Sequence, residues 1–439
     1  MKRAVIFFLL ITFSYITTIH ARNPQNSFVF FNTLVDSAYK NNYIIKSFEN
    51  YVHSVQKNIN ITSSLFFPKI DFNYTFTGTT EPGQAAFLKA KQGKFSMNYY
   101  FNHMTNPPFV KSHTILISIM QPIFAKGKIS LSKKEAQLNF KAAQDSLSEI
   151  KREIKFKIFS TLIGANKLFD NIDIAENMSR KAKTYLTTVE NLYKNGISLK
   201  SDYLYAKFHL KKAEIFKNTL LNDLDKIRHA LKQLTGKNYK IKKLDFMVKD
   251  NLVINDIIQY GLTHREDIAV TKKYIKIAEI ELKKKRNEYL PEIYGFADYE
   301  RNSETLHETD KGGYTVGAGI RLNIFNGMKN KNEIAKAKFA LLRLKNILKN
   351  KEETLKREIK NSFVDFKNAK YEYDSLKELV ESNKIALQLS ENRFKQGLER
   401  ITTLVEMETN YKNSLKELST AKWDMVLKYY TILFKAGKF

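Results

Sequence analysis

The residue types that carry out catalysis or bind metals are few and widely separated in this sequence. The chain has eight histidines and no cysteine, and the histidines form neither an HExxH pattern nor a cluster of metal ligands. The glycines between Gly312 and Gly319 resemble a phosphate-binding loop, but they lie in an alternating segment that no helix follows. Small side chains facing a crowded interior explain them better. The sequence therefore predicts no enzyme, no metal site and no cofactor.

The net charge of +28 raises the question of a nucleic-acid partner. The lysines, however, are spread along helical segments, and the run at residues 283–286 is typical of a solvated helix or of lipid headgroup contacts. We predict that nucleic acid is not a partner. The charge then either keeps long exposed helices in solution or favours anionic cargo or lipid phosphates.

Residues 1–21 have the features of a secretory signal peptide. Lys2 and Arg3 precede an apolar run that ends at Ile19, and Ile19-His20-Ala21 provides a cleavage site. An uncleaved anchor is the alternative, although the run is shorter than the ~20 residues of a comfortable membrane span. In the mature chain, residues 22–439, no segment has 18 consecutive apolar residues. We therefore predict a protein that is either soluble outside the cytoplasm or inserted in a membrane as a β-barrel.

The chain contains two copies of one pattern. Residues 119–124 (IMQPIF) resemble 320–325 (IRLNIF), and residues 193–197 (YKNGI) resemble 394–398 (FKQGL), both at a separation of 201. Upstream, FPKI at 67–70 resembles LPEI at 290–293 at a separation of 223, so the first copy has 22 additional residues. We place them in a surface loop between Gly78 and Pro108. The predicted repeats cover about 33–235 and 256–439, with a linker at about 236–255.

Four segments of about ten residues alternate between apolar and polar side chains, which indicates strands with one apolar and one polar face. They lie at about 66–77, 113–124, 291–300 and 314–325, the third with the weakest alternation. This length suits tilted strands that cross a bilayer. Four strands cannot close a barrel, and open edges in lipid leave backbone groups unpaired, so several chains must pool their strands. A soluble sheet packed on a helix is the alternative.

Between the strands lie unusually long helical segments. Residues 126–194 contain no proline and 327–394 contain no proline and no internal glycine break, which predicts helices of roughly 100 Å. Their apolar residues follow three-four spacing in a narrow stripe, and the other faces are rich in Lys, Glu and Asn. Such a stripe favours helices in the wall of a hollow cylinder over helices in a compact core.

Taken in this order, these features resemble the TolC family of outer-membrane efflux and secretion channels. The resemblance covers the whole mature chain and implies an α plus transmembrane β fold. It implies a homotrimer with a twelve-stranded β-barrel, four strands per protomer, continued by a long periplasmic α-helical barrel. Its implied partners are a periplasmic adaptor protein, an inner-membrane pump of proton-driven or ABC type, and outer-membrane lipid. The pump supplies the energy, and small molecules or proteins are the cargo.

The resemblance also implies that the two glycine-containing turns form a tip to which the adaptor docks. The turn residues are Asn195, Gly196, Ile197, Gln396, Gly397 and Leu398. In the simpler interpretation both glycines only end a helix.

Just beyond these turns, the family pattern places acidic residues that ring a closed periplasmic entrance. Glu406 matches one of these positions, Thr403 stands where a second acid is expected, and Asp202 is the equivalent in the first copy. Arg400 can pair with a neighbouring carboxylate. Alternatively, Asp202 favours a helix N-terminus, and Glu406 and Arg400 lie on a solvated helix face. As a function of another class, the chain is an exported coiled-coil structural or adaptor protein outside any membrane.

Overall fold

Ten α-helices, one short 3-10 helix (Asn287–Tyr289) and four strands lie in the part of the chain that the computed structural model describes, residues 24–103, 105–249, 251–306 and 311–439. The predicted signal peptide, residues 1–21, lies outside it. The first copy contains α1 (Pro24–Asn41), α2 (Tyr43–Ser64), β1 (Lys69–Thr79), α3 (Pro82–Lys91), α4 (Met97–His103), β2 (Val110–Ala125), α5 (Lys128–Lys194) and α6 (Lys200–Thr235). The second contains α7 (Ile254–His264), α8 (Glu266–Arg286), β3 (Glu292–Ser303), β4 (Gly312–Arg321), α9 (Lys329–Lys395) and α10 (Ile401–Lys435).

The duplication extends to the bounds of the helices. α5 and α9 both have 67 residues and begin 201 residues apart (329 − 128). Glycines with left-handed backbone angles end the helices at the same separation, Gly196 with Gly397 and Gly236 with Gly437 (397 − 196 and 437 − 236). A left-handed residue at this position is the usual end of a helix. The helices of the two copies therefore end at equivalent glycines.

Equivalent positions in the two copies each supply a side chain that caps the last long helix. Asn42 Nδ2 donates to the Leu234 carbonyl at 2.9 Å, and Arg265 Nη1 donates to the Lys435 carbonyl at 3.2 Å. The donors are 223 residues apart (265 − 42) and the acceptors 201 (435 − 234), as the 22-residue insertion requires. The last carbonyls of a helix have no partner within the helix, so equivalent donors meet the same need with different residues.

The four strands form one antiparallel sheet in the order β1-β2-β3-β4. β1 starts at Lys69, later than predicted, because Pro68 lacks an N–H, and the amides of Phe66 and Phe67 bond the Ser63 and Ser64 carbonyls. β4 ends at Arg321 instead of residue 325, because its partner strand begins at Glu292, directly after Pro291. The mostly helical architecture with one four-stranded sheet confirms the predicted fold class.

The strand register gives the sheet two chemically different faces, since residues paired across strands share a face. The apolar face includes Ile70, Phe72, Tyr74, Phe76, Ile115, Ile117, Ile119, Ala297, Tyr299, Tyr314, Val316 and Ile320. The polar face includes Asp71, Asn73, Thr75, Thr77, Thr114, Ser118, Asp298, Glu300, Asn302, Thr315 and Arg321. Apolar-face side chains are open to the surroundings in the single chain; Phe72 is 66% exposed and Val316 73%.

Two glycines of β4 lie on the polar face, opposite aromatic residues of β3. Gly317 lies opposite Phe296 and Gly319 opposite Tyr294. An added Cβ at either glycine would come within 2.6 Å of the facing aromatic ring. The aromatic rings of β3, the neighbouring strand of the same chain, therefore fill the space beside these two glycines.

The segment between β1 and β2 differs from the predicted surface loop, because it contains the helices α3 and α4. Pro82 occupies the first turn of α3, where its missing N–H costs nothing and its fixed φ favours a helix. The prolines and glycines in this stretch predicted a loop, whereas Pro82 begins a helix and Gly93, with φ of +71°, follows its end.

The chain divides into two compact units. In the unit of residues 24–42, 154–252 and 362–432, Phe31, Phe159 and Phe246 form edge-to-face ring contacts, and Phe159 lies 4.5 Å from the Tyr430 ring. Asn166 holds the extended mid-chain segment by exchanging hydrogen bonds of 2.8 and 2.9 Å with the Leu244 backbone. In the unit of residues 43–153, 253–361 and 433–439, buried residues of α8 and α9 include Ile268, Ile275, Leu282, Leu355 and Ile359.

Candidate functional site

The two predicted tip segments are superimposable helix ends. In the first, Gly196 N–H donates to the Tyr193 carbonyl at 3.0 Å and Ile197 N–H to that of Leu192 at 2.9 Å. In the second, Gly397 and Leu398 bond the carbonyls of Phe394 and Arg393 at the same distances. Both glycines have φ near +72° and no atom within 4 Å of an added Cβ. Glycine is therefore required here for its backbone angle, since there is space for a side chain.

Apolar side chains project from both turns. Ile197 is 74% exposed and Leu398 67%. Directly beneath them lies a core of buried residues from all four helices, α5, α6, α9 and α10. Its members are Val189, Ala206, Leu387, Ile401, Leu404 and Val405. A rigid base that presents exposed apolar side chains has the character of a protein-docking surface.

Asp202 and Arg400, predicted as entrance residues, meet across the two copies. Arg400 Nη2 lies 3.8 Å from Asp202 Oδ1. Asp202 lies in the first turn of α6, where the helix dipole favours a carboxylate, and its side chain is 16% exposed, whereas that of Arg400 is 68% exposed. Asp202 therefore both lies at a helix N-terminus that favours its charge and forms an ion pair with Arg400, so the two interpretations are compatible.

Thr403 and Glu406 lie apart from this pair, on the exposed face of α10. Both line a cavity of about 550 Å³ whose walls come from α5, α6 and α10. Aromatic walls are supplied by Tyr205, Phe208 and Phe216. The four predicted entrance residues thus form two groups within the same end of the helices, an ion pair and a cavity rim.

The same cavity contains a pair that the sequence interpretation missed. Glu408 is 1% exposed, and its Oε2 lies 3.1 Å from His209 Nε2. Its Oε1 is buried and has no hydrogen-bond partner. The available signal was the spacing of Ile401, Leu404 and Glu408, which places this carboxylate in the apolar stripe of α10.

A second contact that the sequence interpretation missed joins α5 to α9. Glu391 Oε1 accepts hydrogen bonds from Lys181 Nζ at 2.7 Å and from the Tyr185 hydroxyl at 2.8 Å. Burial opposes ionisation of Glu391, but these two donors outweigh it and lower the pKa of its carboxyl below the usual value. Burial and the hydrogen bond to Glu391 raise the pKa of Tyr185. The carboxylate is thus held ionised between two helices.

Within the described residues, no group of three or more His, Asp or Glu side chains is arranged to hold a metal ion. None of the helices in this part of the chain combines the length and the apolar character that a membrane crossing requires.

A sheet with an exposed apolar face, joined to paired 67-residue helices in a duplicated chain, defines a channel-type membrane protein. The sequence profile of the Outer membrane efflux protein family matches residues 34–237 and 257–432, and the chain belongs to this family. The predicted family and the predicted function of an outer-membrane efflux channel are thereby confirmed. A comparison with curated protein sequences found no match.

Solved structures share this fold. The CusC channel has a TM-score of 0.76 at 14% identity, over 95% of each chain. The outer-membrane protein VceC from Vibrio cholerae has 0.76 at 13%, over 94% of this chain and 98% of its own. The Campylobacter jejuni CmeC outer membrane channel has 0.77 at 17%, over 93% and 85%. At these identities the likeness concerns the fold.

Proposed function

We propose that three copies of this chain assemble into one outer-membrane channel, with the four strands of each copy contributing to a twelve-stranded barrel. The observation that carries this proposal is the sheet. Among the described strands, β1 and β4 each pair on one side only. In lipid, unpaired edges cost several kcal/mol per group, and joining β4 of one copy to β1 of the next removes them.

The two faces of the sheet support the same assembly. The apolar face, with Phe72 and Val316 largely exposed, suits lipid contact, and the polar face suits a water-filled lumen. The coiled-coil alternative leaves this apolar face without a partner. Residues 1–21 would direct export and be cleaved, and the long helices would extend into the periplasm as a hollow α-helical barrel.

The tip segments would dock a periplasmic adaptor protein that connects the channel to an inner-membrane pump. Their support is the exposure of Ile197 and Leu398 on a packed four-helix base. The pump, proton-driven or ABC type, would supply the energy and select small molecules or proteins, and the channel itself would catalyse no reaction.

Asp202, Arg400, Thr403 and Glu406 would control the periplasmic entrance. The ion pair between Asp202 and Arg400 links the two copies, so breaking it would remove one restraint on the movement of one helix pair relative to the other. Threefold symmetry would bring three Glu406 carboxylates around the entrance and favour cations there.

The sidedness of the sheet gives a direct test with a matched control. Phe72→Arg places a cation on the apolar face, where it costs ~2–4 kcal/mol near the bilayer centre, whereas Asn73→Arg places it on the polar face. We expect the Asn73 variant, like the wild type, to run as a heat-modifiable trimer and conduct ions in a planar bilayer. The Phe72 variant should lose insertion. Equal behaviour of the two variants, or a soluble helical monomer, would overturn the proposal.

Docking is tested with Leu398→Asp against Leu389→Asp, an exposed leucine of α9 outside the tip. We expect the tip variant to conduct normally in bilayers but to lose co-purification with its adaptor and pump from the native cell. The control variant should retain both. Loss in both variants, or in neither, would contradict the docking assignment.

A further inference from the structure

The helix α3, part of the insertion that distinguishes the first copy, packs on the polar face of the sheet. Ala85 and Leu88 of α3 form a buried cluster with Val110. Val110 pairs with Thr79, which shares the face of Thr77 and Thr75 because side chains alternate along a strand. The helix therefore covers the side of the sheet that carries Asp71, Asp298 and Glu300, away from the apolar side.

Polar groups of the sheet are buried beneath this helix. Ser112 is fully buried, Asn302 is 4% exposed and Thr79 8%. Gln92, at the end of α3, is also buried and donates from Nε2 to the Lys111 carbonyl at 2.6 Å. Strand residues that would otherwise meet water are thus sealed by a helix from the same chain.

Three lysines fasten the helix and the turn after it to the second hairpin. Lys89 and Lys94 each place Nζ 3.1 Å from Glu304 Oε2. Lys91 forms a third ion pair with Glu300, a polar-face residue of β3. The side chains involved are 13–39% exposed, so solvent weakens these pairs without abolishing them. The attachment is therefore firm enough to hold α3 and weak enough to be released.

The position along the strands is also defined. Thr79, Val110, Ser303 and Gly312 are the strand ends that adjoin the inter-strand connections, and the opposite ends adjoin the long helices. If the helices lie in the periplasm, α3 lies at the outer end of the barrel.

We propose that α3 is a size-selecting lid inside the outer mouth of the channel, held shut by the pairs of Lys89, Lys91 and Lys94 with Glu300 and Glu304. This inference rests on the proposed channel. Three chains contribute three lids, which narrow the lumen at the end where cargo leaves. Small ions pass the closed lids, and larger cargo requires the ion pairs to open.

Charge-matched variants test the lid. Glu300→Gln/Glu304→Gln releases the lysines, whereas Asp71→Asn/Asp298→Asn removes two carboxylates from the same face, farther from the strand ends next to α3. In planar bilayers, we expect the first variant to conduct roughly twofold or more above wild type and to admit larger polyethylene glycols. The control should keep the wild-type cut-off. Equal change in both variants, or no change in the first, overturns the proposal.

A second variant tests closure without removing charge. The chain has no native cysteine, so a bis(methanethiosulfonate) reagent can bridge Leu88→Cys/Val110→Cys specifically, each thiol forming a reducible disulfide as it displaces methanesulfinate. We combine this cysteine pair with Glu300→Gln/Glu304→Gln and expect bridging to restore the low conductance and a reductant to reverse it. A bridged channel as open as the unbridged one contradicts the lid. If no variant conducts at all, the channel proposal fails instead.

Discussion

Replacing Arg400 by Gln and Asp202 by Asn, separately and together, tests the proposal that their ion pair holds the periplasmic entrance closed. The pair joins the start of α6 to the turn before α10, with 3.8 Å between Nη2 and Oδ1. Either single substitution removes the attraction and leaves the other residue charged, whereas the double variant has two neutral side chains. The double variant then shows whether the two residues act on the entrance through each other.

The expected size follows from exposure. With Arg400 68% exposed, the pair is worth ~0.2–1 kcal/mol. A trimer has three such pairs, so their joint loss shifts the balance between closed and open entrance by ~0.6–3 kcal/mol. At room temperature this raises the ratio of open to closed channels by about 3- to 160-fold.

Single-channel recording in planar bilayers provides the assay, with open probability as the readout. We expect each single variant to raise open probability and the double variant to add little, since the second change has no pair left to break. Arg393→Gln is the control. Arg393 Nε lies 3.3 Å from Glu399 Oε2, and the two side chains are about as exposed as those of Arg400 and Asp202, but both residues belong to the second copy. Additive single effects, or an equal rise in the control, would refute a link between the copies.

Three further predictions follow from the same structure. Gly397→Ala should destabilise the helix end by ~1–2 kcal/mol because the φ angle at this residue is +72°, and Gly397→Asn should cost less. Thermal unfolding of the trimer measures both variants, and equal costs would contradict a backbone-angle requirement. His209→Leu should destabilise the protein by ~1–3 kcal/mol because it leaves the buried Glu408 carboxylate without its partner. His209→Gln should lose less stability in the same melts, and equal losses would contradict a pairing role. Hydrogen bonds from Lys89 and Lys94 lower the pKa of the Glu304 carboxyl. The lid contact is therefore fully present above the usual pKa of ~4.3 and is lost as pH falls through the lowered value. Conductance should rise on acidification below about pH 4, and a flat profile down to pH 3 would contradict the contact.

Much of the fold could be predicted because its signals are periodic and repeated. Alternation in residues 314–325 and the equal spacing of Gly196 and Gly397 are local patterns that the backbone obeys. The strand ends were less predictable, since they depend on the partner strand. β4 ends at Arg321 only because Pro291 ends the ladder on the neighbouring strand.

Contacts between distant segments account for what the sequence could not provide. Glu408 was hidden because its partner, His209, lies on another helix, and Glu391 because its donors lie on α5. The position of α3 on the polar face likewise depends on Glu300 and Glu304, more than 200 residues away. The unequal separations of the repeats identified the insertion, and its glycines and prolines assigned it to a surface loop.

The two copies differ at the elements that carry the proposed functions. Ser198, Leu199 and Asp202 of the first copy stand where the second has Glu399, Arg400 and Thr403, all at the separation of 201. The contact between Asp202 and Arg400 takes one residue from each copy, because the first copy has Leu199 in place of the arginine and the second has Thr403 in place of the aspartate. The α3 insertion follows the same rule, because one hairpin supplies the lysines and the other supplies Glu300 and Glu304. A trimer of a duplicated chain would have nearly sixfold symmetry, and the divergence of the copies at these positions leaves each protomer with one Asp202–Arg400 pair and one α3 instead of two.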